Sequence, residues 1–227
     1  MTPPSPVGPG RRARGFTLLE LVLVLALMAA ASYLLVAALG EGQAAALQAG
    51  QATVVHLVGS ARSRAAHGRR VRILFHHDSA SPLAAERYLR LMVMEEWRGD
   101  EWRTLQTVSL PPGIHVMPHQ SRVPAGLLED PAQWTRPDGT AVHSSALFRP
   151  LVHRQVDAPV GEAWAELAFT GHGTTASSGQ IVLTPGLVRE AGTDGQSRLV
   201  FAFPRQVRGV QVSAYGLAVP VAGRGDF

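Results

Sequence analysis

The apolar positions are spread unevenly, and their longest run comes first. From Leu21 to Leu39 only Ser32 and the hydroxyl of Tyr33 interrupt it, and counting back to Phe16 the segment is long enough to cross about 30 Å of hydrocarbon as a helix. Residues 16–39 are therefore expected to span a membrane. Arg11, Arg12 and Arg14 precede the run, so the positive-inside rule keeps the amino terminus cytoplasmic and sends everything after Leu39 outward. Beyond Gly40 the spacing changes. Ala44, Leu47, Val54, Leu57, Val58, Ala61 and Ala65 recur at steps of three, four and seven, which predicts an amphipathic helical half over 40–68 with Gly68 as its C-cap. Gly40, Gly42, Gly50 and Gly59 weaken that helix locally.

From residue 69 the period falls to two. "RRVRILFHH" (69–77) puts Val71, Ile73 and Phe75 on one face, and "RYLRLMVMEEW" (87–97) and "EWRTLQTVSL" (101–110) follow around an "RGD" turn, so the three predict an antiparallel meander. "PPGIHVMP" reads as a turn. Between 118 and 161, Pro118, Pro124, Pro131, Pro137, Pro150 and Pro159 predict an irregular insertion, with one short helix near Ser144 to Val156. Strand patterns resume at 163–171, 179–186, 197–204 and 209–221, with "GHGTTASSG" (171–179) as a hairpin loop. The expected fold class is α+β, a long amino-terminal helix packed on antiparallel sheet, with a β-rich domain over 69–227.

Composition narrows the functional classes. The 227 residues carry a formal net charge of +4, but setting aside the three leading arginines leaves 18 Arg against 17 acidic residues. The basic balance therefore gives little ground for nucleic-acid binding. Cys is absent, which removes disulfides, thiolate metal sites and cysteine nucleophiles. Absence of Asn removes N-glycosylation sequons.

The candidate chemistry begins with Glu20, a carboxylate inside the apolar run. A carboxylate there costs about 2.5 to 3.5 kcal/mol on insertion scales unless something neutralises it. An ordinary secretory signal peptide does not explain it. The stretch Gly15, Phe16, Thr17, Leu18, Leu19, Glu20, behind basic residues and ahead of an apolar helix, resembles the type IV prepilins, including the pseudopilins of type II secretion. The resemblance implies a leader over 1–15 removed by a prepilin peptidase, cleavage between Gly15 and Phe16, N-methylation of Phe16, and a salt bridge from Glu20 to the amino terminus of a neighbouring subunit. Many members carry a proline along the spanning helix, and Met28 to Leu39 has none. Later segments, "ARSRAAHGRRVRILF", "LAFTGHGTTASSGQIVLTPG", "RLVFAF" and "GLAVPV", are similar to the GspH/FimT-type minor pseudopilins.

That resemblance implies a pilin-like fold and a structural, non-enzymatic subunit of a type II secretion pseudopilus. It would be single-pass in the inner membrane with its domain in the periplasm. Its implied partners are other pilins or pseudopilins through the amino-terminal helix, the prepilin peptidase, the membrane and an exported protein. A minor type IV pilus subunit, including one for DNA uptake, is the alternative. A membrane-anchored periplasmic enzyme ranks last, because no G-x-S-x-G elbow or other catalytic spacing appears.

Arg62, Arg64, Arg69, Arg70 and Arg72 form the densest basic cluster after the anchor. A nucleic-acid contact is one reading. Cations placed favourably near a helix C-terminus is the better one, since no aromatic residues interleave with them in sequence. The nine His, among them His76, His77, His115, His119 and His172, share no evident face and are read as surface or strand-end residues, so neither metal nor cofactor is expected. Trp97, Trp102, Trp134 and Trp164 are read as core or hairpin packing.

Overall fold

A computed structural model describes residues 18–81, 83–156, 161–190, 197–223 and 225. The chain divides into two compact units, 1–41 and 42–227. Helix α1 runs over Leu18–Ala66. In the second unit it presents Leu47, Val54, Leu57, Val58, Ala61 and Ala65 to the core, as the stripe predicts, while Ala44 stays exposed. The helix ends where Gly68 turns to φ +80, with its N–H donating to the Ala65 carbonyl at 3.0 Å.

Strand β1 (Val71–His76) follows, then the short helix α2 (Ala84–Arg87), β2 (Leu91–Arg98) and β3 (Glu101–Ser109). The order β3-β2-β1 is the expected meander, and Gly99 at φ +62 makes its turn. Strands β4 (Ile114–Val116), β5 (Val152–Arg154), β6 (Glu162–Phe169), β7 (Gly179–Pro185), β8 (Leu187–Glu190), β9 (Ser197–Val200), β10 (Arg208–Val212) and β11 (Ala218–Val221) complete the domain. They form a five-stranded sheet in the order β3-β2-β1-β6-β5, a four-stranded sheet in the order β11-β10-β7-β4 and the ribbon β8-β9. All these pairings are antiparallel.

The buried face of α1 meets both sheets. Val71, Ile73, Phe75, Met92 and Leu167 come from the first, and Ile114, Ile181, Leu183, Val210 and Val212 from the second. Gly50 lets the helix approach closely, since a Cβ there would stand 3.3 Å from Ile114 Cγ2. Gln51 is 5% exposed, and its Nε2 donates to the carbonyls of Gly209 at 2.6 Å and Val221 at 2.8 Å, which satisfies a buried amide at the helix–sheet seam.

Several local expectations give way to tertiary pairing. "GIHVMP" holds β4 rather than a bare turn, because Ile114, His115 and Val116 pair with Pro185, Thr184 and Leu183. Residues 144–156 carry a single 3-10 turn (Ser145–Leu147) and then β5. Pro150 forbids a helix interior there, and the backbone beyond it pairs with β6. The 209–221 segment splits into β10 and β11 around Gly216 at φ +69. The 171–178 loop joins strands of different sheets, so it is a crossing and not a hairpin. The proline-rich stretch is packed as well: Leu127, Trp134 and Val142 close a second core over Val182 and Phe201, on the face of β7 away from α1.

Candidate functional site

Gly15 and Phe16, the expected cleavage junction, lie outside the described residues. Glu20 falls within α1, and its side chain also lies outside them. On the described part of the first unit, Leu18, Leu19, Leu21, Val22, Leu23, Val24, Leu25, Leu27 and Met28 are all exposed. Consecutive positions cover every side of a helix, so this segment is apolar all round, a surface that a chain ordinarily buries in lipid or against other helices. Among the described residues no helix is long and apolar enough to cross a membrane. The side chains of 30–41, over which the expected span continues, lie outside the described set.

The basic cluster gathers where α1 runs into β1, and most of its members have assigned partners. Arg62 Nε donates to the Tyr215 carbonyl at 2.9 Å. Arg64 and Arg69 reach Glu96 at 3.6 and 3.5 Å, and Arg98 Nε donates to the same carboxylate at 2.7 Å. The hydrogen bond from Arg98, and next the charges of Arg98, Arg69 and Arg64, hold the Glu96 carboxyl below its ordinary range. Arg72 is the most buried of the group. Its Nε donates to Glu95 at 2.8 Å, and its Nη1 reaches Glu166 at 3.4 Å. Arg154 adds a second cation on Glu95 at 3.0 Å and donates to the Trp102 carbonyl at 2.6 Å.

Aromatic residues distant in sequence do arrive beside these arginines, contrary to the linear reading. Arg70 lies 5.6 Å from the centre of the Trp97 ring and Arg72 lies 4.0 Å from that of Trp102, while the two indoles meet edge to face at 5.3 Å. Arg72 therefore already covers a face of Trp102 that a stacked base would need. Chemically the arrangement is a fixed lattice of guanidinium, carboxylate and indole that joins the helix end to the sheet. Glu95, Glu96, Arg98, Arg154 and Glu166 are the members that sequence reasoning missed. The one signal was the two adjacent carboxylates, Glu95 and Glu96, inside a strand of Met and Trp.

The histidines disperse. His76 and His77 project to opposite sides, His76 edge-on to Trp164 at 4.9 Å and His77 edge-on to Tyr88 at 6.1 Å. His76 is buried but ends β1, in keeping with the strand-end reading, whereas His115 is buried in the middle of β4, which corrects the surface or strand-end reading for that residue. His76 Nε2 stands 3.4 Å from Glu162, yet burial still pushes its pKa down. His119 and His143 meet edge to face at 5.0 Å. Among the described residues no group of three or more His, Asp or Glu side chains could hold a metal ion.

The family described as Prokaryotic N-terminal methylation motif matches residues 10–32. No curated protein matches the chain, and no solved structure matches it. The chain thus has a type IV prepilin-like amino terminus, which points to the type IV pilin-like proteins as a group, with processing by a prepilin peptidase and anchoring through the amino terminus.

Proposed function

We propose that this chain is a structural minor pseudopilin of a type II secretion pseudopilus, without enzymatic activity of its own. The observation that carries the reading is the methylation motif over 10–32 running directly into a helix whose apolar side chains face outward on every side. Cleavage after Gly15 would free the amine of Phe16 for methylation. In the low dielectric of a helix bundle that ammonium needs a counter-charge, and Glu20 of an adjacent subunit supplies it. The first 15 residues are then the leader, 16–39 the assembly helix in the inner membrane and 69–227 the periplasmic domain. Its partners are other pseudopilins through the helix, and an exported protein through the domain.

Mass spectrometry of the membrane-extracted protein should find a mature chain starting at methylated Phe16, and any other start overturns the reading. Gly15→Ala should block cleavage. Glu20→Ala should leave cleavage and insertion intact while incorporation into filaments falls at least tenfold by immunoblot of sheared fractions. A minor type IV pilus subunit shares the same motif. Loss of pili with secretion intact in a deletion strain would favour that alternative.

A further inference from the structure

Within the proline-rich insertion two histidines distant in sequence, His119 and His143, come together. His119 caps the 3-10 turn Gln120–Arg122, and His143 follows Val142 of the second core. The Ser144 N–H donates to the Pro118 carbonyl at 3.4 Å, which ties the residues flanking the pair. Ser144 is itself buried, its Oγ accepting from the Val182 N–H at 2.9 Å. Arg122 fastens the turn to the chain beyond, its Nη1 and Nη2 donating to the carbonyls of Leu147 and Phe148 at 2.9 and 2.8 Å. The backbone around the pair is therefore held by bonds that neither imidazole makes.

Both rings are half-buried, and their centres stand 5.0 Å apart. Two imidazoles bound through Nε2 to one ion at about 2.0–2.1 Å place their centres roughly 4.5–5.2 Å apart, for angles of about 90° to 109° at the metal. The observed separation falls inside that range. Each ring is also oriented through its other nitrogen. His143 Nδ1 lies 2.8 Å from the Ala141 carbonyl, which only accepts, so in the neutral ring Nδ1 holds the proton and Nε2 the lone pair. His119 Nδ1 lies 2.8 Å from Ser121 Oγ and 3.3 Å from the Ser121 nitrogen. A proton on that Nδ1 gives up the longer bond and donates to the hydroxyl, which again leaves the lone pair on Nε2. Metal-bound histidines are held in this way, the far nitrogen donating to an oxygen. Among the described residues neither Nε2 makes a hydrogen bond. Beside the pair a cavity of about 370 Å³, lined by Gln120, Val123, Pro124 and His143 among others, leaves room for water on an ion. The charge of Arg122 bears on His119 and works against a cation, which keeps the affinity modest.

We propose that His119 and His143 bind one divalent transition-metal ion through their Nε2 atoms, with water completing its coordination. Imidazole nitrogen suits Cu²⁺, Ni²⁺ and Zn²⁺, whereas Mg²⁺ seeks oxygen, and Cu²⁺ is held most tightly of these. Two histidines fall short of the three or four protein ligands of a zinc site, so the ion is exchangeable and keeps open positions. Its place also gives it a structural effect. Bound to both rings, it closes the chain from 119 to 143 into a loop and staples the insertion.

The full-length protein in detergent micelles is freed of metal with EDTA, dialysed at about pH 7.5, where imidazole is unprotonated, and titrated with Cu²⁺ against a chelator of known affinity. Electron paramagnetic resonance follows the ion, with micelles alone as the blank. The first equivalent should give one species with two nitrogen ligands. His119→Gln and His143→Gln should each weaken that equivalent at least tenfold and take away the two-nitrogen signal. His172→Gln, at an exposed histidine in the 171–178 loop, should leave both unchanged. Excess Mg²⁺ should not displace the ion, and hydrogen exchange over 120–142 should slow at least twofold on loading the parent but not the double variant. A first equivalent with one nitrogen or with mixed species, an affinity unmoved by both variants, displacement by Mg²⁺ or exchange unmoved by loading would each overturn the proposal. The nitrogen count is read on the unaltered protein, so it decides the matter even where a variant fails to fold.

Discussion

Glu95 shows how one carboxylate fixes its neighbourhood. It is fully buried and receives both Arg72 and Arg154. Removing it leaves Arg72, itself 7% exposed, with the longer contact to Glu166 as its one ion pair among the described residues, beside the Trp102 ring. Truncating one partner of a buried pair costs about 3–5 kcal/mol, because the surviving charge stays desolvated. Glu95→Ala should therefore lower the urea midpoint markedly without changing the slope. Arg103→Ala is the matching control. Arg103 and Glu101 pair at 2.9 Å but are 61% and 65% exposed, and such surface pairs are worth about 0–1 kcal/mol. An Arg103 effect as large as that of Glu95 would show that burial is not what gives the Glu95 network its weight.

At the scale of elements, two close approaches hold α1 to the sheets. At the carboxyl end of the helix, Gly173 at φ +75 packs against the Arg62 carbonyl and Gly216 at φ +69 packs against Gly173. A Cβ on Gly216 would stand 2.5 Å from the Gly173 carbonyl oxygen. Gly216→Ala must bear the left-handed penalty of about 1–2 kcal/mol and also displace that backbone. Thermal melts should show a loss of at least this size. Near the middle, Leu57 is 1% exposed between the two sheets, so Leu57→Ala should cost about 2–5 kcal/mol. A Leu57→Ala loss below 1 kcal/mol would mean that the helix is not the shared wall of both sheets.

The molecule as a whole should be sensitive to acid. His76, His77, His115 and His119 all have pKa values lowered below 6.5, each chiefly by burial. A lowered base binds fewer protons in the folded chain than in the unfolded one, so stability rises with pH across the gap between the two values. For His115 the gap runs from about 4 to 6.5. Within it that residue alone contributes a slope of up to about 1.4 kcal/mol per pH unit. Glu96 acts lower down. Its stabilisation is complete above the ordinary carboxylate range and is lost as pH falls through its lowered folded value. Denaturation midpoints should thus fall steadily from pH 7 to 4, and His115→Gln should flatten that stretch. An unchanged slope in the variant would remove His115 from the account.

The sequence by itself determined what depends on neighbours along the chain. The amino-terminal motif, the apolar stripe of α1 and the alternation in β1 to β3 are local patterns, because a helix or strand face is set by residues three, four or two apart. It also marked the arginine cluster and favoured the reading as cations at a helix end. Only the tertiary structure decided what those arginines meet. Glu166 lies far from Arg72 along the chain and reaches it because β6 pairs with β1, and β5, paired with β6, brings Arg154 to the Glu95 that Arg72 also meets. The same holds for β4 and β5, whose three residues each carry too weak a pattern to declare a strand without the partner that completes the ladder. The insertion read as irregular for the same reason: Leu127, Trp134 and Val142 follow no period, and their burial rests on Val182 and Phe201 arriving from elsewhere in the chain.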